Sequence, residues 1–330
     1  MFLVEITLRV TGYDYGNSPA DADISLNYVH PSNYRYTMFT PSGEFGGFQI
    51  YFDSLGRRSQ LPEQSSKEIR PKPQFAFLGD SFTEALQVPY DSSFIGILAN
   101  TYPDAQMLNY GVTGYGAILY YLQCKKMIME HGIRPRAIFM ILYSNDVRDD
   151  STVLSRAKYD PGTKEIIAID GGTKNSFYAL LRRSYTVRGL NKIYLQWKFS
   201  KKTKHEQVVH GFVVNNLLEE TPTLTNTISE KYILKTDSFI HSLHIPFYIT
   251  AIPSRYKNFT NDLSKNLFAE KTEAWCNAHK LTYINLQKAF DSVSQKYPQA
   301  LFYKTDVHCN GAGQKIIGNI LSPYIKAQLQ

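Results

Sequence analysis

The chain offers four short segments whose residue types suit acyl transfer. In Phe77-Leu78-Gly79-Asp80-Ser81-Phe82-Thr83-Glu84 an apolar run ends in a turn that begins a helix. Ser81 and Glu84 fit the Ser-x-x-Glu capping pattern, which predicts Ser81 at a helix N-terminus among unpaired N–H groups. The positive end of the helix dipole there favours an alkoxide, and the N–H groups can donate to an oxyanion. Read alone, Gly-Asp-Ser is more simply an N-capping serine. Asn109-Tyr110-Gly111-Val112-Thr113-Gly114-Tyr115-Gly116 runs from an apolar stretch into a glycine-rich turn, where a backbone N–H can approach a ligand closely. Ile141-Leu142-Tyr143-Ser144-Asn145-Asp146 sets Asn145 at the end of another apolar run, as an uncharged donor or as an Asx-turn residue. Removing one such donor from an oxyanion site costs on the order of 100-fold in rate. Thr305-Asp306-Val307-His308-Cys309-Asn310-Gly311 pairs a carboxylate with an imidazole, and the carboxylate can hold the ring's tautomer and stabilise its charged form.

The surrounding pattern supplies elements to position these groups. Five short apolar runs, at 74–78, 107–112, 137–143, 246–251 and 282–286, have the length and composition of buried parallel strands. Segments of helical spacing, including 94–100, 118–129, 228–241, 262–279 and 313–328, lie between or after them. Such alternation predicts a three-layer, flavodoxin-like α/β fold with a parallel sheet. Three of the four segments then fall at strand carboxyl ends, and the fourth precedes the last helix. Ligands of open α/β sheets bind along that edge.

Residues 1–70 read as a β-rich extension, with a hairpin at 34–53 around Pro41-Ser42-Gly43 and a polar linker at 64–73. Residues 71–330 form the main domain, interrupted by an insertion at 151–227 that is far longer than an ordinary connection. In it, 159–169 around Asp160-Pro161-Gly162 reads as a hairpin. Residues 175–204 read as an aromatic, basic helix. Its first reading is an amphipathic helix covering the core with its basic face in solvent. Its second is a lid, or a wall facing a membrane or an anionic glycan.

Composition narrows the function. Lys plus Arg number 36 against 29 Asp plus Glu, a net charge of +7, and no nucleic-acid-binding module is present. Cys124, Cys276 and Cys309 match no zinc or disulfide framework, and a low odd count fits a reducing compartment. Cys309, next to His308, reads as a bystander rather than a thiol nucleophile. His241 and His244 lie three apart in a helical segment with no third ligand, so no metal site is expected. Gly111-x-x-Gly114-x-Gly116 reverses the dinucleotide fingerprint, and no Gly-x-Ser-x-Gly elbow occurs. No cofactor is expected. The opening MFLVEITLRV is broken by Glu5 and Arg9, is too short to span a bilayer and lacks signal-peptide features. A cytoplasmic location is therefore expected, with the cell envelope as the alternative if an anchor precedes the sequence.

Taken together and in this order, the four segments resemble the four blocks of the SGNH (GDSL-type) hydrolase superfamily, over roughly residues 74–150 and 243–326. The resemblance implies Ser81 as nucleophile, His308 as general base and Asp306 as the residue that orients it. It implies the backbone N–H of Ser81, Gly114 and the Asn145 side chain as oxyanion donors. The usual Asp-x-x-His spacing is shortened here to Asp306-Val307-His308, and Asp-x-His-x-Asn resembles members acting on acylated polysaccharides. Phe52-Asp53-Ser54-Leu55-Gly56-Arg57-Arg58 resembles an N-terminal feature of bacterial envelope members. The implied activity is a serine esterase cleaving short acyl groups, acetyl foremost, from a small-molecule or glycan ester. A glycan O-acyltransferase and a non-catalytic carbohydrate-binding protein are the alternatives. The oligomeric state is not legible in the sequence.

Overall fold

The computed structural model describes residues 2–16, 20–63, 71–172, 181, 183–202, 223–253, 267–294, 296–297 and 300–330. The expected linker at 64–73, parts of the insertion and the first residues of the 262–279 helix fall largely outside that set.

All five expected core strands form. They are β1 (Gln74–Gly79), β2 (Gln106–Gly111), β3 (Ala137–Leu142), β4 (Phe247–Ala251) and β5 (Tyr283–Ile284). They pair in parallel in the order β2-β1-β3-β4-β5, the flavodoxin-like arrangement. Alternate side chains feed two cores. Ala76, Leu78, Ile138, Met140 and Leu142 meet helices Ala117–Lys125 and Ile228–His241 on one face. Phe75, Phe77, Phe139 and Ile141 meet helices Phe94–Thr101 and Gly311–Leu329 on the other. Burial on both faces is why these strands read as continuous apolar runs rather than alternating ones.

The first residues add a second, smaller sheet. Tyr34–Phe39 and Gly46–Phe52 form the antiparallel hairpin, flanked by Tyr15–Gly16 and Arg58–Ser59. Ala157–Tyr159 and Ile166–Ile169 pair as the second expected hairpin.

Two features depart from the sequence reading. Phe2–Val10 is a helix, and its Glu5 accepts from the Ser184 hydroxyl and the Tyr185 and Thr186 N–H groups at 2.8–3.1 Å, capping helix Tyr185–Ser200. In and beside that second helix two of the basic residues, Arg188 and Lys192, turn inward, while Arg183, Lys198 and Lys201 stay exposed, so only part of the expected basic face is solvated. Arg188 is buried, donates to Tyr34 Oη at 2.8 Å and to the Asp14 carbonyl, and lies over the Tyr34, Tyr36 and Tyr185 rings. Lys192 Nζ sits 3.5 Å from the Tyr15 ring centroid. The tyrosine rings of the small sheet hold the cations by cation–π attraction and hydrogen bonding.

Candidate active site

The segment after β1 builds the site's centre. Helix Ser81–Glu84 follows the strand directly and is capped by Asp80, whose carboxylate accepts from Phe82 N at 2.9 Å. The cap is thus Asp80 and not Ser81, so the expected Ser81–Glu84 capping box does not form. With the capping task taken by Asp80, the Ser81 hydroxyl is available elsewhere. It meets His308 Nε2 at 2.7 Å. His308 Nδ1 lies 2.5 Å from Asp306 Oδ1, and the same carboxylate oxygen accepts from His308 N at 2.9 Å. One Asx turn therefore positions ring and backbone together, which is how a single intervening residue suffices between acid and base. Phe82 packs against the imidazole, ring centroids 4.7 Å apart, and against Tyr143 at 4.1 Å.

Electrostatics favour a charged imidazole. Burial alone would lower the His308 pKa, but the Asp306 charge and hydrogen bond, with Asp80 and Glu84 beyond, hold it above the ordinary histidine value. Burial raises the Asp80 carboxyl, opposed by the Phe82 N–H, the His308 charge and the Asn145 amide.

Close backbone approach fixes the helix over the second strand. A Cβ on Gly111 would fall 2.2 Å from Glu84 N, so only glycine lets the two segments meet. Glu84 is fully buried, accepts from Thr113 N at 2.8 Å and Thr113 Oγ1 at 2.6 Å, and forms an ion pair with His30 Nε2 at 2.7 Å. Burial would raise its pKa, yet the His30 charge and these donors hold it below the usual carboxylate range. This ties the Ser81 helix to the turn bearing Gly114, which adopts φ +75° beside the Tyr28 hydroxyl. Asn145 donates to Asp149 Oδ2 at 2.7 Å and also contacts Asp80.

Ser81, His308 and Asp306 thus form one hydrogen-bonded chain. Gly114 and Asn145 stand on neighbouring turns, each linked to the Ser81 segment through Thr113–Glu84 or Asp80. His241 closes helix Ile228–His241 while His244 lies beyond it at φ +54°, so the two do not share a helical face. No group of three metal-ligating residues occurs among the described residues. Burial pushes the Cys309 thiol pKa up and disfavours a thiolate.

Several supporting residues carried no signal in the sequence. His30 comes from the N-terminal extension and stacks on Phe52, 4.1 Å between centroids. Glu44, at the hairpin tip, accepts from Lys304 N, from Thr305 N at 2.8 Å and from Thr305 Oγ1 at 2.7 Å. Its neighbour Phe45 packs on Tyr303 at 4.8 Å. The extension therefore grips the loop that carries Asp306 and His308. Asp149 was findable, because it stands four residues after Asn145 in a helical segment and such pairs meet.

No family profile matches the chain, and no curated protein matches it. Solved structures similar to it include a member of the lipolytic protein G-D-S-L family from Veillonella parvula. That match has 13% identity and TM-score 0.43, and it covers 77% of this chain and 98% of that one. A catalytic mutant of an acetylxylan esterase from Geobacillus stearothermophilus aligns at 14% identity and TM-score 0.43, covering 77% and 94%. A lipase/acylhydrolase from Enterococcus faecalis aligns at 12% identity and TM-score 0.42, covering 78% and 96%.

Proposed function

We propose that the chain is a serine ester hydrolase of the SGNH type, working through an acyl-enzyme on Ser81. The observation that carries this reading is the continuous chain Ser81 Oγ–His308 Nε2 at 2.7 Å and His308 Nδ1–Asp306 Oδ1 at 2.5 Å. Nucleophile, base and orienting carboxylate stand at hydrogen-bond distance in that order. His308 takes the hydroxyl proton as Ser81 Oγ bonds to the ester carbonyl carbon. The tetrahedral oxyanion is held by the Ser81 and Gly114 N–H groups and by Asn145, whose one N–H stays on Asp149 while the other turns from Asp80 to the oxyanion. The ester C–O bond breaks as His308 returns the proton to the departing alcohol. Water, deprotonated by His308, then attacks the acyl-enzyme, releasing acid and free Ser81.

The substrate we propose is a short acyl ester, acetyl foremost, on carbohydrate. Its support is the Asp306-x-His308-x-Asn310 spacing. Asn310 itself is used structurally, capping helix Gly311–Leu329 through Ala312 N and Gly313 N. If a sugar hydroxyl binds in place of the attacking water, the same steps give acyl transfer. Hydrolysis of p-nitrophenyl acetate should exceed that of the octanoate ester and vanish in Ser81→Ala. Undiminished activity in the variant overturns the proposal. Acylated glycan formed from a donor ester, rather than free acid, moves the conclusion to the transferase.

A further inference from the structure

Helix Tyr185–Ser200 is amphipathic the wrong way round for a helix that only covers a core. Arg188 and Lys192 face inward, onto the tyrosines of the small sheet. Leu190, Ile193, Tyr194 and Trp197 follow the i, i+3, i+4, i+7 spacing of one helical face and are 53–61% exposed. The helix that Glu5 fastens to it, Phe2–Val10, repeats the arrangement. Glu5 and Leu8 turn inward, while Leu3, Ile6 and Val10 share the opposite side in solvent. Exposed apolar stripes on two joined helices imply an occupant.

Charge identifies it. Residues 183–202 contain no Asp or Glu. Of their six Lys or Arg, Arg188 and Lys192 pack inward and Arg183 pairs with Asp21 at 2.9 Å, which leaves the lysines at the helix's C-terminal end to face an outside partner. Lys198 and Lys201 are exposed at the end of the stripe, with Lys201 Nζ 5.9 Å from the Trp197 ring centroid. A second copy of this chain would set like charge against like. An anionic bilayer meets every feature, taking the leucine and isoleucine side chains, the tyrosine and tryptophan at headgroup depth, and the lysines on lipid phosphates. No helix among the described residues is long and apolar enough to cross a membrane. We infer that this pair of helices lies on the surface of an anionic membrane and tethers the chain there peripherally.

The test uses the whole chain with vesicles of phosphatidylcholine alone, or mixed with phosphatidylglycerol in equal parts. The expected result is cosedimentation with the mixed vesicles only, weakened by salt. Trp197 emission should shift to the blue, since the second tryptophan, Trp275, is already buried. Ile193→Ser with Trp197→Ser should lower partitioning by roughly tenfold or more while leaving thermal unfolding unchanged. Lys198→Gln with Lys201→Gln should also weaken binding, and should flatten its salt dependence. The inference is overturned by no binding, by equal binding to both vesicle types, or by wild-type binding of the serine variant. A dimer in light scattering that the serine variant dissociates also overturns it, assigning the stripe to a second copy.

Discussion

Glu44→Ala isolates the contribution of the N-terminal hairpin to catalysis, because among the described residues the Glu44 carboxylate is hydrogen-bonded to Lys304 and Thr305, in the loop just before Asp306. Its carboxylate accepts two backbone N–H groups and the Thr305 hydroxyl. Hydrogen bonds to charged groups contribute about 1.5–3 kcal/mol each when buried. Glu44 is only half-buried, so about 1 kcal/mol for each backbone contact is the fitting scale. Losing roughly 2 kcal/mol of loop anchoring lowers the population of the competent arrangement by at most about 30-fold. The expected result is a loss in kcat with p-nitrophenyl acetate of between several-fold and that limit. The pH of the acid limb should not move, since Asp306 and His308 remain. Glu44→Gln, which keeps one acceptor oxygen, should recover part of the rate. A variant within twofold of the wild type, or a shifted pH limb with unchanged plateau, refutes the reasoning.

Removing the Asp306 carboxylate by Asp306→Asn should reduce kcat by roughly 1,000-fold or more. His308 must be neutral to accept a proton and its pKa is raised, so kcat/KM of the wild type should climb only above the ordinary imidazole range. The Asn variant should move that limb to lower pH, and an unmoved limb counts against Asp306 as the partner. Gly111→Ala drives a methyl to 2.2 Å from Glu84 N and should lower the melting temperature by several degrees. A melting temperature within a degree of wild type contradicts the packing described. His30→Ala leaves Glu84 as a buried carboxylate short of its partner, at a cost of about 3–5 kcal/mol in urea unfolding. Because the folded-state pKa of Glu84 is lowered, its contribution is present above the unfolded value and is lost as pH falls through the folded one. Wild-type stability should therefore drop in acid more steeply than that of His30→Ala, and parallel profiles exclude this.

What the sequence made legible is what local pattern encodes. The five core strands show because each is buried on both faces, and Ser81, Asp306 and His308 show because their segments fall at one edge of that sheet. What stayed hidden acts across long separations. Glu44 serves a loop some 260 residues away, and Glu5 caps a helix 179–181 residues away, with no local trace of either pairing. The capping error at Ser81 arose because Asp80 and Ser81 are both good N-cap residues, and tertiary contacts decided between them. Glu84 looked like the second half of a capping box but is taken by His30 and Thr113. The inward turn of Arg188 and Lys192 was unreadable for the same reason. Their aromatic partners lie in the N-terminal sheet, so two members of a charged stripe that looked wholly solvated are in fact packed.

The most direct measurement is intact-mass analysis after treatment with a fluorophosphonate, followed by peptide mapping. The account predicts one phosphonyl group per chain, attached to Ser81, with labelling abolished in Ser81→Ala and strongly slowed in His308→Ala. A wild-type chain that stays unlabelled, or a label mapped to another residue, contradicts it.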